Sequence, residues 1–77
     1  MSVFRGGRYD DADALLREFI VRNPADPRVE DATFLRMVGR VRRRDPEGAV
    51  EMARRYLGQF PDGLRRREAE QVLQAPR

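Results

Sequence analysis

Residues 9–24 return, without a gap, at residues 46–61. At this fixed spacing of thirty-seven positions Ala12 matches Ala49, Arg17 matches Arg54, Phe19 matches Tyr56, Ile20 matches Leu57 and Pro24 matches Pro61. The register holds past the prolines, where Arg28, Ala32 and Leu35 match Arg65, Ala69 and Val72. A repeat of roughly 20–50 residues marks a chain built by stacking one supersecondary unit, and such a unit buries its apolar face only against a neighbour.

Within each copy the apolar residues fall at helical spacing: Ala12, Leu15, Leu16, Phe19 and Ile20 in the first, Ala49, Met52, Ala53, Tyr56 and Leu57 in the second. That i, i+3, i+4, i+7, i+8 pattern predicts amphipathic helices over about 9–22 and 46–59. Each stops before a proline, which lacks a backbone donor and pushes its predecessor out of helical geometry. Asp26 with Pro27, and Asp45 with Pro46, offer a capping side chain followed by a proline fit for the first helical turn. With Asp62 as a further cap, the sequence predicts four helices, near 9–22, 27–43, 46–59 and 63–74, and no strand. The expected fold is all-α, a single domain over 1–77 made of antiparallel helix-turn-helix units: a partial repeat 4–26, a complete repeat 27–61 and a capping helix 62–75.

Composition narrows the chemistry. The chain has 77 residues and no His or Cys, so disulfides, thiolates, imidazole bases and nearly all zinc sites are excluded, and stability must come from packing. No stretch approaches the ~18 apolar residues of a membrane span, so no span is expected. All 16 basic residues are Arg, a bias that GC-rich coding explains, and they are offset by 13 acidic residues to a net charge of only +3. Ser2 and Thr33 are the sole hydroxyl nucleophiles apart from tyrosine, and no Lys is present, which leaves little material for covalent catalysis. Asp10, Asp11 and Asp13 suit a helix start stabilised by its dipole better than a calcium loop. Gly6-Gly7, with no preceding strand and no following Gly-Lys-Ser/Thr, reads as a flexible turn and not a phosphate cradle. We expect no enzyme, no metal and no cofactor.

The string Gly7-Arg8-Tyr9-Asp10-Asp11-Ala12, followed by Phe19 and Pro24, resembles the second helix of a tetratricopeptide repeat, and Gly48-Ala49, Tyr56 and Pro61 resemble it again, with Pro46 where the family has an aromatic. The longer period and the Asn23-Pro24-Ala25-Asp26-Pro27 linker are similar to the bacterial envelope branch of the family, such as Tol-Pal-associated coordinator proteins and outer-membrane assembly lipoproteins. The resemblance implies a protein-binding scaffold at the bacterial envelope, the cytoplasm remaining open. It also implies that the chain opens in mid-repeat, so that the helix covering Leu15 and Phe19 has been cut away or is replaced by another copy: Leu15 and Phe19 are the expected self-association residues, and a homo-oligomer the expected state. The groove that grips chaperone carboxylates in some members uses Lys and Asn, which the matching positions lack.

Two registers of helix 27–43 are open. One buries Arg36 and Arg40; the other buries Phe34, Met37, Val38 and Val41 and turns Leu35, Gly39 and Arg42 to the concave side. The second is preferred, because an unpaired buried Arg is costly. Expected partner-binding residues are Leu35, Arg36, Gly39, Arg40, Arg42 and Arg43, for a protein or peptide with acidic flanks. The arginine clusters 40–44 and 65–67 also admit a small basic nucleic-acid-binding helical protein, disfavoured because no aromatic residues interleave with them.

Overall fold

A computed structural model describes the backbone of residues 3–75 and the side chains of residues 10–75. Tyr9, part of the first repeat motif, and Ser2 carry side chains outside the described ones. The chain forms four α-helices, α1 (Val3–Arg22), α2 (Arg28–Arg42), α3 (Pro46–Gln59) and α4 (Arg66–Gln74), and among the described residues there is no strand. Each helix packs on its neighbours in the chain, giving a slab of 41 × 34 × 15 Å.

α1 begins earlier than the sequence predicts, and Gly6-Gly7 lie inside it, not in a turn. At about 1 kcal/mol each, two glycines do not outweigh the propagation of an established helix. Asp26 works at the start of α2 as expected: its Oδ1 accepts the Arg28 N–H at 2.8 Å, and Pro27 already sits at φ −57°. Glu30 and Asp31 in the first turn and Arg40 and Arg42 in the last complement the dipole.

α2 ends in a Schellman turn, in which Asp45 N–H donates to Arg40 O at 2.9 Å and Arg44 N–H to Val41 O at 3.1 Å. Asp45 then caps α3 by accepting the Gly48 N–H at 3.0 Å, with Pro46 following. Gly48 leaves room for this cap, since a Cβ there would displace the Asp45 carboxylate and the end of the Arg40 side chain, 2.6 Å away at Nη1.

The core lies between α2, α3 and α4. Met37, Met52, Ala53, Tyr56 and Ala69 are buried, with Phe34, Leu57, Phe60, Val72 and Leu73 packed around them. Of the apolar set predicted to be buried on α2, Met37 is enclosed and Phe34 and Val38 half-enclosed, whereas Val41 is 49% exposed.

Asp62 does not cap the last helix. α4 starts at Arg66, with Arg65 at the cap and no side-chain bond to it. The preceding turn is held from a distance instead. Tyr56 Oη donates to Glu30 Oε2 at 2.6 Å, the Leu64 N–H reaches the same oxygen at 2.8 Å, and the Arg65 N–H reaches Tyr56 Oη at 2.8 Å. Two backbone donors ahead of α4 are thus satisfied by side chains of α2 and α3, which delays the helix and fixes its direction. Gly63 is needed for this approach, because a Cβ there would collide with Tyr56 Oη and lie 2.7 Å from Glu30 Oε2.

Burial, then the hydrogen bond to Glu30, push the Tyr56 hydroxyl above its ordinary value of 10.0. The contribution is therefore present below the unfolded value, near pH 10, and is lost as pH rises beyond it. Tyr56→Phe is expected to lower stability at pH 7 by about 1–3 kcal/mol in urea denaturation, and to remove this share of the alkaline loss.

Candidate functional site

α2 presents two faces, and its arginines divide between them. Toward α1, Arg36 donates from Nε to Asp13 Oδ1 at 2.9 Å and from Nη2 to Oδ2 at 3.3 Å. Arg40 lies 3.5 Å from the same carboxylate and 3.6 Å from that of Asp45. Arg43 pairs with Asp10 and, at 3.4 Å, with Asp45.

Arg36 is buried, at 8% exposure, which corrects the register preferred from the sequence. The cost that argued against burying it applies to an unpaired guanidinium. Here Asp13, twenty-three residues away, supplies a two-bonded partner.

This seam accounts for most of the residues expected to bind a partner. Leu35, Arg36, Gly39, Arg40 and Arg43 surround a cavity of only about 30 Å³ with Ala12, Asp13 and Leu16. Such a space holds about one water molecule. Arg40 Nε, buried and without a hydrogen-bond partner, borders it.

On its other face α2 forms one wall of a groove of about 460 Å³, with α3 as floor and α4 opposite. Phe34, Met37, Val38 and Val41 line it from α2, Ala49 and Val50 from α3, Val72 from α4 and Ala75 from just beyond it. At its rim stand Arg42, Arg44 and one opposing carboxylate, Glu68. Of the expected partner-binding residues only Arg42 is here. Neither Arg42 nor Arg44 has an ion-pair partner among the described residues, unlike Arg36, Arg40 and Arg43 in the same run. Asp45 also borders the groove, but its carboxylate is held by Gly48, Arg40 and Arg43.

In the sequence Arg44 stands out only as a member of the arginine cluster 40–44. It occupies the turn position after α2 with φ at 62°, the left-handed region that glycine enters freely and an L-residue only at a cost of about 1 kcal/mol or more. Asp10 and Asp13, expected at a helix start, lie inside α1 instead, because the helix begins at Val3, and they meet arginines beyond α1. Periodicity does not reveal a partner on another helix.

On α1, Leu15 is 70% exposed, whereas Phe19 is half-buried with the Arg28 guanidinium 5.3 Å from its ring centre. Of the two expected self-association residues, Leu15 is the accessible one. Among the described residues no group of three or more Asp or Glu is placed to hold a metal ion. No helix of the described residues is long and apolar enough to cross a membrane. Comparison with family models, curated proteins and solved structures finds no match.

Burial works to raise the Asp13 carboxyl, but the hydrogen bond from Arg36 and the charges of Arg36 and Arg40 outweigh it and hold the group below its ordinary value. A lowered folded value gives stability that is present above about pH 4 and is lost as pH falls through that lowered value. Asp13→Asn should flatten the acid limb of a stability-against-pH curve.

Arg44→Gly should raise the urea midpoint at pH 7, by an amount equal to about 0.5–1 kcal/mol, by relieving the left-handed strain. A fall in the midpoint would mean that the Arg44 side chain supports the fold.

Proposed function

We propose that this chain is a tetratricopeptide-like, non-enzymatic interaction module whose groove between α2 and α4 receives a short apolar segment flanked by carboxylates. The observation that carries the reading is the division of the arginines. Those at the α1 seam are neutralised within the fold, while Arg42 and Arg44 have no ion-pair partner among the described residues and stand beside an apolar trough. A groove with apolar walls and a few charged groups at its edge is the usual form of a peptide-docking site, and about 460 Å³ lies within the roughly 300–1,000 Å³ typical of such sites. The thirty-seven-residue repeat and the short helix-turn-helix connections support the family reading. Self-association through the exposed Leu15 face belongs to the same proposal, as does a bacterial envelope setting.

The pairing of Arg36, Arg40 and Arg43 also weakens the nucleic-acid alternative, because guanidiniums already held by carboxylates have less charge to offer phosphates. Among the described residues no aromatic ring is exposed for base stacking.

Titrating a ¹⁵N-labelled chain with a synthetic peptide carrying two leucines between acidic residues should move the amide signals of Val38, Val41, Arg42, Arg44 and Val72. The signals of Leu35 and Gly39 at the seam should stay in place. Arg42→Glu together with Arg44→Glu should weaken binding at least tenfold. Shifts confined to the seam, or none at millimolar peptide, would overturn the reading.

A further inference from the structure

Two surfaces of the chain lack a counterpart within it, and their chemistry matches. The first is the groove just described, apolar within and bordered by Arg42 and Arg44, which have no ion-pair partner among the described residues. The second is a ridge on α1. Leu15 stands 70% exposed, and Asp11 and Glu18, four residues before it and three after, share its side of the helix. Asp11 is exposed and has no ion-pair partner among the described residues, and Glu18 meets only the exposed Arg22, at 3.7 Å.

The internal repeat shows what this ridge would otherwise be. Leu15 corresponds to Met52, which α2 and its neighbours leave only 1% exposed. The same position in the repeat is therefore enclosed once and open once.

We propose that the α1 ridge of a second copy occupies the groove, Leu15 entering the trough and Asp11 and Glu18 meeting Arg42 and Arg44, so that chains associate head to tail. This rests on the docking role assigned to the groove above and names its occupant. Charge decides against the simpler arrangement of ridge on ridge. Two α1 helices crossing antiparallel at Leu15 bring Asp11 of one beside Glu18 of the other, and a parallel pair sets like residue against like, so either way carboxylates face carboxylates, offset only by the exposed Arg22 that Glu18 already meets. In the groove the same carboxylates meet two guanidiniums against Glu68, the carboxylate of Asp45 being held by Gly48, Arg40 and Arg43. Because ridge and groove are different surfaces, every open assembly still offers one of each at its two ends. Such heterologous contact builds a ring if the rotation closes and a filament if it does not.

The test is complementation. Light scattering over a concentration series should show the mass of the unmodified chain rising beyond a dimer. Leu15→Glu spoils the ridge and leaves the groove; Arg42→Glu with Arg44→Glu spoils the groove and leaves the ridge. Each variant alone should remain monomeric, and an equimolar mixture should yield a 1:1 heterodimer and nothing larger. Circular dichroism confirms that each is folded, and all three substitutions fall at exposed positions.

Should the doubly substituted groove fail to fold, Asp11→Arg and Arg44→Asp form a second pair, each weakening association at least tenfold alone and recovering it when mixed. A dimer that persists in the groove variant but not in Leu15→Glu would show ridge-on-ridge pairing and overturn the proposal. So would an unmodified chain that stays monomeric at millimolar concentration. Peptide-induced shifts in the groove under those conditions would leave the docking role standing, and their loss would end both.

Discussion

A single carboxylate decides how this small protein is put together. Asp13 on α1 accepts two hydrogen bonds from the buried Arg36 of α2 and lies against Arg40 as well. A chain of fewer than about 80 residues seldom has more than 3–5 kcal/mol of stability from its core, and stranding a buried guanidinium costs a similar amount. The apolar core lies among α2, α3 and α4, so α1 is joined to the rest largely through this polar seam and the apolar contacts around Leu16. Once Arg36 is turned toward Asp13, helical geometry places Arg40 and Arg43 on the same side, where Asp10 and Asp45 meet them. Arg42 is left on the opposite side, over the groove.

The far side of the groove is set by a second polar arrangement. Tyr56 is fully buried except through its hydroxyl contacts, and Glu30 and the backbone of Leu64 and Arg65 converge on it. The turn before α4 is thereby fastened to α2 and α3 at one end, with Arg65 stacked 5.0 Å from the centre of the Phe34 ring. The other end of α4, at Val72 and Ala75, borders open space instead of the end of α2. The trough lies along α4 between it and α2.

Much of this was readable in advance. Helix number, the caps at Asp26 and Asp45 and the buried faces of α3 follow from local rules, because capping and helical periodicity act within a few residues. What escaped was non-local. The pairing of Arg36 with Asp13 spans twenty-three residues and that of Tyr56 with Glu30 twenty-six, and neither leaves a mark in spacing or propensity. Two of the misplaced expectations, the α2 register and the Asp62 cap, concern polar groups whose partners lie on other helices, whereas the expected turn at Gly6-Gly7 yields to the propagation of α1. Charge runs are visible in the sequence, but which arginines are already paired with carboxylates is not. Arg44 could have been noticed only by asking why a helix ending lacks its usual glycine.

The most direct test is a double-mutant cycle on Asp13 and Arg36, using Asp13→Leu, Arg36→Met and the pair, with stabilities from urea denaturation. The account predicts that Asp13→Leu alone costs about 3 kcal/mol or more, and that adding Arg36→Met recovers most of the loss, a coupling of at least about 1.5 kcal/mol. Effects that add to within about 0.5 kcal/mol would contradict it, showing that α1 is held by its apolar contacts and that the sorting of the arginines does not rest on Asp13.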